Sequence, residues 1–111
     1  QIDYDREMAF IATRKNAAGV FETLAVARVV ADPDNTSAEF AVTVRSDLKG
    51  VGLGRIMMEK LIRYCRARGT GEIVGEALPQ NSRIVAMVKK LGFEVTIDRE
   101  DGTRNMRLAL R

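Results

Sequence analysis

Residues 38–65, AEFAVTVRSDLKGVGLGRIMMEKLIRYC, constrain the fold more than any other stretch. An apolar run at 38–44 passes through a short polar link to glycines at 50, 52 and 54. From Gly52 the period changes: Leu53, Ile56, Met57, Leu61, Tyr64 and Cys65 recur at spacings of three and four. The first pattern suits a strand and the second one face of a helix. In a strand, glycine turn and helix unit, several backbone N–H groups converge at the positive end of the helix dipole, which favours an anion. Gly50, Gly52 and Gly54 lack a β-carbon, so positive φ is accessible and a phosphate chain can approach the amides closely. Lys49 and Arg55 add charge beside them. The plainer reading is a flexible link whose glycines serve only the turn.

The rest of the chain supplies a sheet for this unit. Met8, Phe10 and Ala12 alternate with Ala9, Ile11 and Thr13 up to a turn at 16–19. Residues 24–30 form a second strand, stopped by the turn Asp32-Pro33-Asp34-Asn35. The run at 38–44 is the third strand and central in the sheet, with Glu39 its only charge. Gly69 ends the first helix, with Arg63, Arg66 and Arg68 placed to suit the dipole. A strand at 72–77 leads to Pro79, and Asn81 or Ser82 caps a second helix that runs through Leu91. Strands at 93–97 and 106–110 flank a turn at 100–102. The predicted order is strand, strand, strand, helix, strand, helix, strand, strand.

Composition narrows the chemistry. With 111 residues, 46% hydrophobic and 30% charged, the chain fits one domain over residues 1–111. It has no histidine and one cysteine, which removes the commonest general base, zinc ribbons and disulfides, and no metal is expected. The net charge of +3 leans weakly toward anionic partners, but acidic residues interleave and no arginine-rich tract points to nucleic acid. No apolar run approaches the roughly 20 residues that span a bilayer and no signal pattern opens the chain, so no membrane partner and a cytoplasmic location are expected. The start at Gln1, with apolar alternation close behind, reads as a piece of a longer protein.

Two phosphate-binding motifs fail. A P-loop needs GxxxxGK followed by Ser or Thr, which is absent, and the dinucleotide fingerprint would need glycine where Arg55 or Met57 stands. The stretch Lys49-Gly50-Val51-Gly52-Leu53-Gly54 instead resembles the pyrophosphate loop of the GNAT acetyltransferase superfamily. That loop has the form Gln or Arg, two residues, Gly, one residue, Gly or Ala; lysine in the first place is a departure. Asn81 followed eleven residues later by Gly92-Phe93, with Lys90-Leu91 before them, resembles the superfamily's second signature. The likeness extends over residues 8–110. The stretches 1–10, 38–40 and 71–76 are similar to the acetyltransferase domain of bacterial protein lysine acetyltransferases that carry an acyl-CoA-synthetase-like region. Position 51 commonly holds a polar residue there, and Val51 has no physical account.

The resemblance implies an α+β fold of the family's three-layer kind. Its mixed, mostly antiparallel central sheet is flanked by two helices and lacks the family's first strand and first two helices, which help shape the acceptor pocket. It also implies acetyl-CoA as cosubstrate and a protein substrate with a reactive lysine, an acyl-CoA synthetase being one candidate. An acyl-CoA-synthetase-like domain in the same parent chain is implied as well. The reaction would be N-acetyl transfer by direct attack in a ternary complex. Such attack needs a neutral amine, and Glu39 is the candidate base: it is the lone carboxylate in an apolar strand, where desolvation favours the protonated form, and many relatives place a glutamate there. A strand-edge glutamate paired with a basic residue is the alternative. The tyrosine that protonates the leaving thiolate in many relatives is replaced by Val88, while Tyr64 and Cys65 read as core.

The same resemblance assigns pantetheine contacts to the backbone of Val42, Thr43 and Val44, as when a strand is added to a sheet edge. The diphosphate falls to Gly50, Val51, Gly52, Leu53 and Gly54, with Lys49 and Arg55 within reach, and the cofactor arm to Asn81 unless Asn81 is simply a helix cap. Three other readings stay open: a non-catalytic acyl-CoA-binding sensor, a small-molecule amine acetyltransferase, and a basic nucleic-acid module.

Overall fold

The computed structural model describes residues 6–111, so positions 1–5 of the stretch resembling lysine acetyltransferases lie outside the described residues. Eight elements follow in chain order: β1 (Glu7–Lys15), β2 (Phe21–Ala31), β3 (Ser37–Val44), α1 (Leu53–Ala67), β4 (Glu72–Ala77), α2 (Ser82–Lys90), β5 (Glu94–Ile97) and β6 (Arg104–Ala109). The order read from periodicity holds, with one addition, a single 3₁₀ turn at Ser46–Leu48. In space the strands run β1-β2-β3-β4-β6-β5, so β3 is interior as expected. β3 and β4 pair in parallel and the other neighbours antiparallel.

Local chemistry sets the turns. Asn16 Oδ1 accepts the N–H of Ala18 and Val20 at 2.9 and 3.0 Å, closing the first hairpin. Asp32 Oδ1 accepts the N–H of Thr36 at 2.8 Å in the second. Both helices end alike: Thr70 N–H reaches Cys65 C=O after Gly69 at φ +78°, and Phe93 N–H reaches Val88 C=O after Gly92 at φ +98°, each at 3.0 Å. A left-handed glycine lets the chain turn back and satisfy the last carbonyls.

Alternation along the strands decides where the core lies. Ala25, Ala27 and Val29 of β2, Ala38 and Phe40 of β3, Ile73 and Ala77 of β4, and Met106 and Leu108 of β6 are buried. α1 sets Met57, Met58, Leu61, Ile62 and Cys65 against this face, and α2 adds Val88. The described residues thus form a mixed six-stranded sheet with both helices on one face. On the other face Ala9, Ile11, Arg28, Glu39, Ala41 and Thr43 are exposed. The apolar run of β3 is therefore buried on alternate positions only. Among the described residues Glu39 is exposed, its side of the strand carries the small residues Ala41 and Thr43, and neither helix packs on that face.

Candidate active site: a sheet wedge and a glycine loop

The parallel pairing of β3 with β4 covers only Ser37↔Glu72, Ala38↔Ile73 and Glu39↔Val74. Beyond that point β3 continues to Val44 paired with β2, and β4 continues to Ala77 paired with β6. The strands part, and the sheet opens into a wedge. Its apex is Glu39 and its β3 wall is the edge of residues 40–44, which has no ladder partner on the β4 side. Val42, Thr43 and Val44 lie on this open edge, and such an edge can pair with an extended amide-bearing chain. Thr43 is exposed, while Val42 and Val44 are half-buried toward the helices.

The glycine loop stands at the end of the β3 wall. Gly50 and Gly52 hold φ of +91° and +88°, and Gly52 is the residue before the first turn of α1. Lys49 and Gly50 are the corners of a turn that engages Val51 N–H, and among the described residues the backbone N–H groups of Gly50, Gly52, Leu53, Gly54 and Arg55 donate to nothing. The first helical bond runs from Ile56 N–H to Gly52 C=O at 3.1 Å, and no side chain caps the helix. Five free donors on a loop with two left-handed glycines at a helix N-terminus fit an oxyanion-rich group such as a diphosphate. Gly54 packs close to its neighbours: a β-carbon there would touch Val44 Cγ2 at 3.5 Å and Met87 Cε at 4.0 Å, so the helix start lies against both β3 and α2.

The approach to the loop is braced from behind. Arg45 Nε and Nη2 bond the two oxygens of Asp47 at 2.7 and 2.8 Å, and Nη1 bonds Glu22 at 2.9 Å. Its guanidinium holds the Asp47 carboxyl below the ordinary carboxylate range, and with Asn16 it does the same to Glu22. Of the two cations named from sequence, Arg55 pairs with Glu59 on its own helix at 3.2 Å, and Lys49 is exposed. Asn81 sits at the start of α2 and its side chain makes no capping bond, so its amide is not used as a simple cap.

On the uncovered face, Glu39 lines a shallow depression of about 330 Å³ with Val74, Glu76, Glu94, Asn105 and Arg107. It has no basic partner among the described ion pairs, whereas Arg107 takes Glu72 at 2.5 Å. The remaining sequence candidates fall in the core. Val88 and Cys65 are buried, with burial pushing the Cys65 thiol up, and Tyr64 meets the Phe10 ring edge-on at 6.2 Å. Two features escaped the sequence: the parting of β3 from β4, and Arg83, whose guanidinium lies against Gly50. A basic residue two places after Asn81 was the available signal for the second.

Comparison with known proteins decides the family. The family model described as acetyltransferase (GNAT) family matches residues 1–93. The chain belongs to the GNAT family. An acetyltransferase of Pseudomonas aeruginosa is 31% identical over 110 residues, covering 98% of this GNAT chain and 59% of that protein. The chain thus spans about three fifths of that curated relative's length. Among solved structures, a cAMP-binding acyltransferase from Mycobacterium smegmatis superposes with a TM-score of 0.78 at 27% identity, over 98% of this chain and 33% of that one. A Salmonella typhimurium protein described as an acetyltransferase, solved with its cofactor acetyl-CoA, gives 0.70 at 24% identity over 80% and 59% of the two chains. Among the described residues, no helix of this GNAT domain is long and apolar enough to cross a membrane.

Proposed function

We propose that this GNAT domain carries out acetyl-CoA-dependent N-acetylation, with Glu39 as the group that takes the proton of the acceptor amine. The observation that carries the reading is the set of five free N–H groups, at Gly50 and at positions 52–55, near the open end of the wedge. There they would hold the diphosphate of acetyl-CoA. The β3 edge at Val42, Thr43 and Val44 would pair with the pantetheine amides, and the free amide of Asn81 would meet the same arm. Family membership and the acetyl-CoA bound to the Salmonella relative support this assignment.

A thioester carbonyl held in the wedge would lie toward the apex, where Glu39 stands. An acceptor ammonium gives one proton to the Glu39 carboxylate, and the neutral amine attacks the carbonyl. A C–N bond forms and the C–S bond breaks, and the second amine proton ends on the departing thiolate through solvent, since Val88 supplies no acid. The acceptor we favour is a protein lysine, on the likeness of residues 38–40 and 71–76 to the acetyltransferase domain of protein lysine acetyltransferases. The parent protein's own activity and its partners, an acyl-CoA-synthetase-like domain included, belong to the same proposal.

Glu39→Gln is expected to lower kcat by about a hundredfold to ten-thousandfold with the KM for acetyl-CoA little changed, read by thiol release with lysine peptide and small-amine acceptors. An unchanged kcat removes Glu39 from the mechanism, and turnover confined to small amines replaces the lysine acceptor. The buried apolar Val88 favours one second reading, an acyl-CoA-binding sensor, which would bind coenzyme A and release no thiol with any acceptor.

A further inference from the structure

Arg83, the second residue of α2, reaches across to the glycine loop. Arg83 is exposed, and its Nη1 lies 2.7 Å from the point where a β-carbon on residue 50 would stand, so the guanidinium lies against the Gly50 backbone. Among the described residues Arg83 enters none of the ion pairs, which join Arg14 and Arg45 to Glu22, Arg45 to Asp47, Arg55 to Glu59 and Arg107 to Glu72. A cation in none of those ion pairs therefore stands beside Gly50, on the loop that leads into the positive end of the α1 dipole. Like charges in that arrangement repel, and the arrangement becomes favourable once an anion lies between them.

We propose that Arg83 is the side-chain cation of the diphosphate site, the part that sequence spacing gave to Lys49 and Arg55. The proposal rests on the acetyl-CoA reading above and deepens it. Arg55 is turned along its own helix to Glu59. Arg83 comes from the opposite wall, so a diphosphate would be gripped between the α1 amides and an α2 guanidinium, whose planar fork suits two phosphate oxygens at once. Gly50 then has two duties: it takes the positive φ, and it leaves room for the guanidinium. Asn81 and Arg83 lie two residues apart, so the start of α2 would supply both of that wall's polar contacts.

Calorimetric titration of the 111-residue chain with coenzyme A and with 3′-dephospho-coenzyme A tests the assignment. The proteins are the unaltered chain, Arg83→Ala, Arg83→Lys, and Arg99→Ala as a control on the exposed β5–β6 turn. Arg83→Ala is expected to weaken both ligands by the same factor, about ten- to a hundredfold, and Arg83→Lys by less, while Arg99→Ala changes neither. Without ligand, Arg83→Ala should unfold at the same temperature as the parent or higher, because a repulsion has been removed; a purely structural arginine would lower it. Affinity within twofold of the parent in Arg83→Ala overturns the proposal. So does a loss confined to coenzyme A, which would place the contact on the 3′-phosphate. If Arg83→Ala does not fold, the structural role is upheld and the proposal falls. If the unaltered chain binds neither ligand, the acetyl-CoA reading fails first and this inference with it.

Discussion

Gly50 and Gly75 are constrained for different reasons. At Gly50 the backbone is left-handed at φ +91° and a guanidinium crowds the missing β-carbon. Gly50→Ala is therefore expected to weaken coenzyme A binding at least tenfold, while costing about 1–3 kcal/mol of folding stability from the strained φ. Isothermal titration and urea unfolding check the two halves. Gly75 has ordinary strand geometry, but a β-carbon there would enter the ring of Phe40, which is itself wedged edge-on against Phe93 at 5.7 Å. Gly75→Ala should cost about 1–3 kcal/mol, read from the urea midpoint. The first glycine was legible because three glycines alternate before a helix. The second was not, since nothing local in EIVGEA shows that an aromatic ring from the neighbouring strand lies over it. Glu39 was legible as the lone charge of β3, yet its exposure was hidden, because an apolar run reads the same whether one face of the sheet is covered or both.

Elements are tied together by a few polar groups. Asn35, at φ +58° in the β2–β3 turn, donates its side-chain N–H to Arg68 C=O at 2.9 Å, and its Oδ1 accepts the hydroxyl of buried Thr70 at 2.7 Å. The hairpin is thereby fastened to the link from α1 to β4, next to the short parallel ladder that fixes the wedge apex. Asn35→Ala removes both bonds and the residue type that tolerates a left-handed backbone, so a loss of about 1–3 kcal/mol is expected in chemical unfolding. Glu22, Arg45 and Asp47 brace the other end of β3. Hydrogen bonds from Arg45 lower both carboxyls in the folded state. Their stabilising contribution is complete above the unfolded value, near 4.5 for Glu22, and is lost as pH falls through the folded value. Unfolding of Glu22→Gln should consequently lose part of its acid dependence below about pH 4.5, and added salt should shrink the difference, because Glu22 and Arg45 are only half-buried and Asp47 is exposed. Helix and strand periods made these elements legible. The 3₁₀ turn at Ser46–Leu48 was not, since its geometry follows from the Arg45–Asp47 contact rather than from any period.

At the largest scale, the sheet of the described residues has both helices packed on one face, and a wedge between β3 and β4 leads to the glycine loop. Periodicity could give the order of elements but not the wedge: it depends on how far two strands, separated in the chain by a whole helix, stay in register. The insertion of β6 between β4 and β5 was likewise invisible, being a choice among pairings that share one sequence pattern. Everything functional rests on that wedge and loop accepting the cosubstrate as a single site. The most direct test is a ¹H–¹⁵N NMR titration of the chain with coenzyme A. The largest amide shifts are expected at Gly50 through Arg55 and at Thr43 and Val44 on the β3 edge, saturating with one ligand per chain. Shifts absent from those amides, or spread over the β1–β2 hairpin instead, would contradict it.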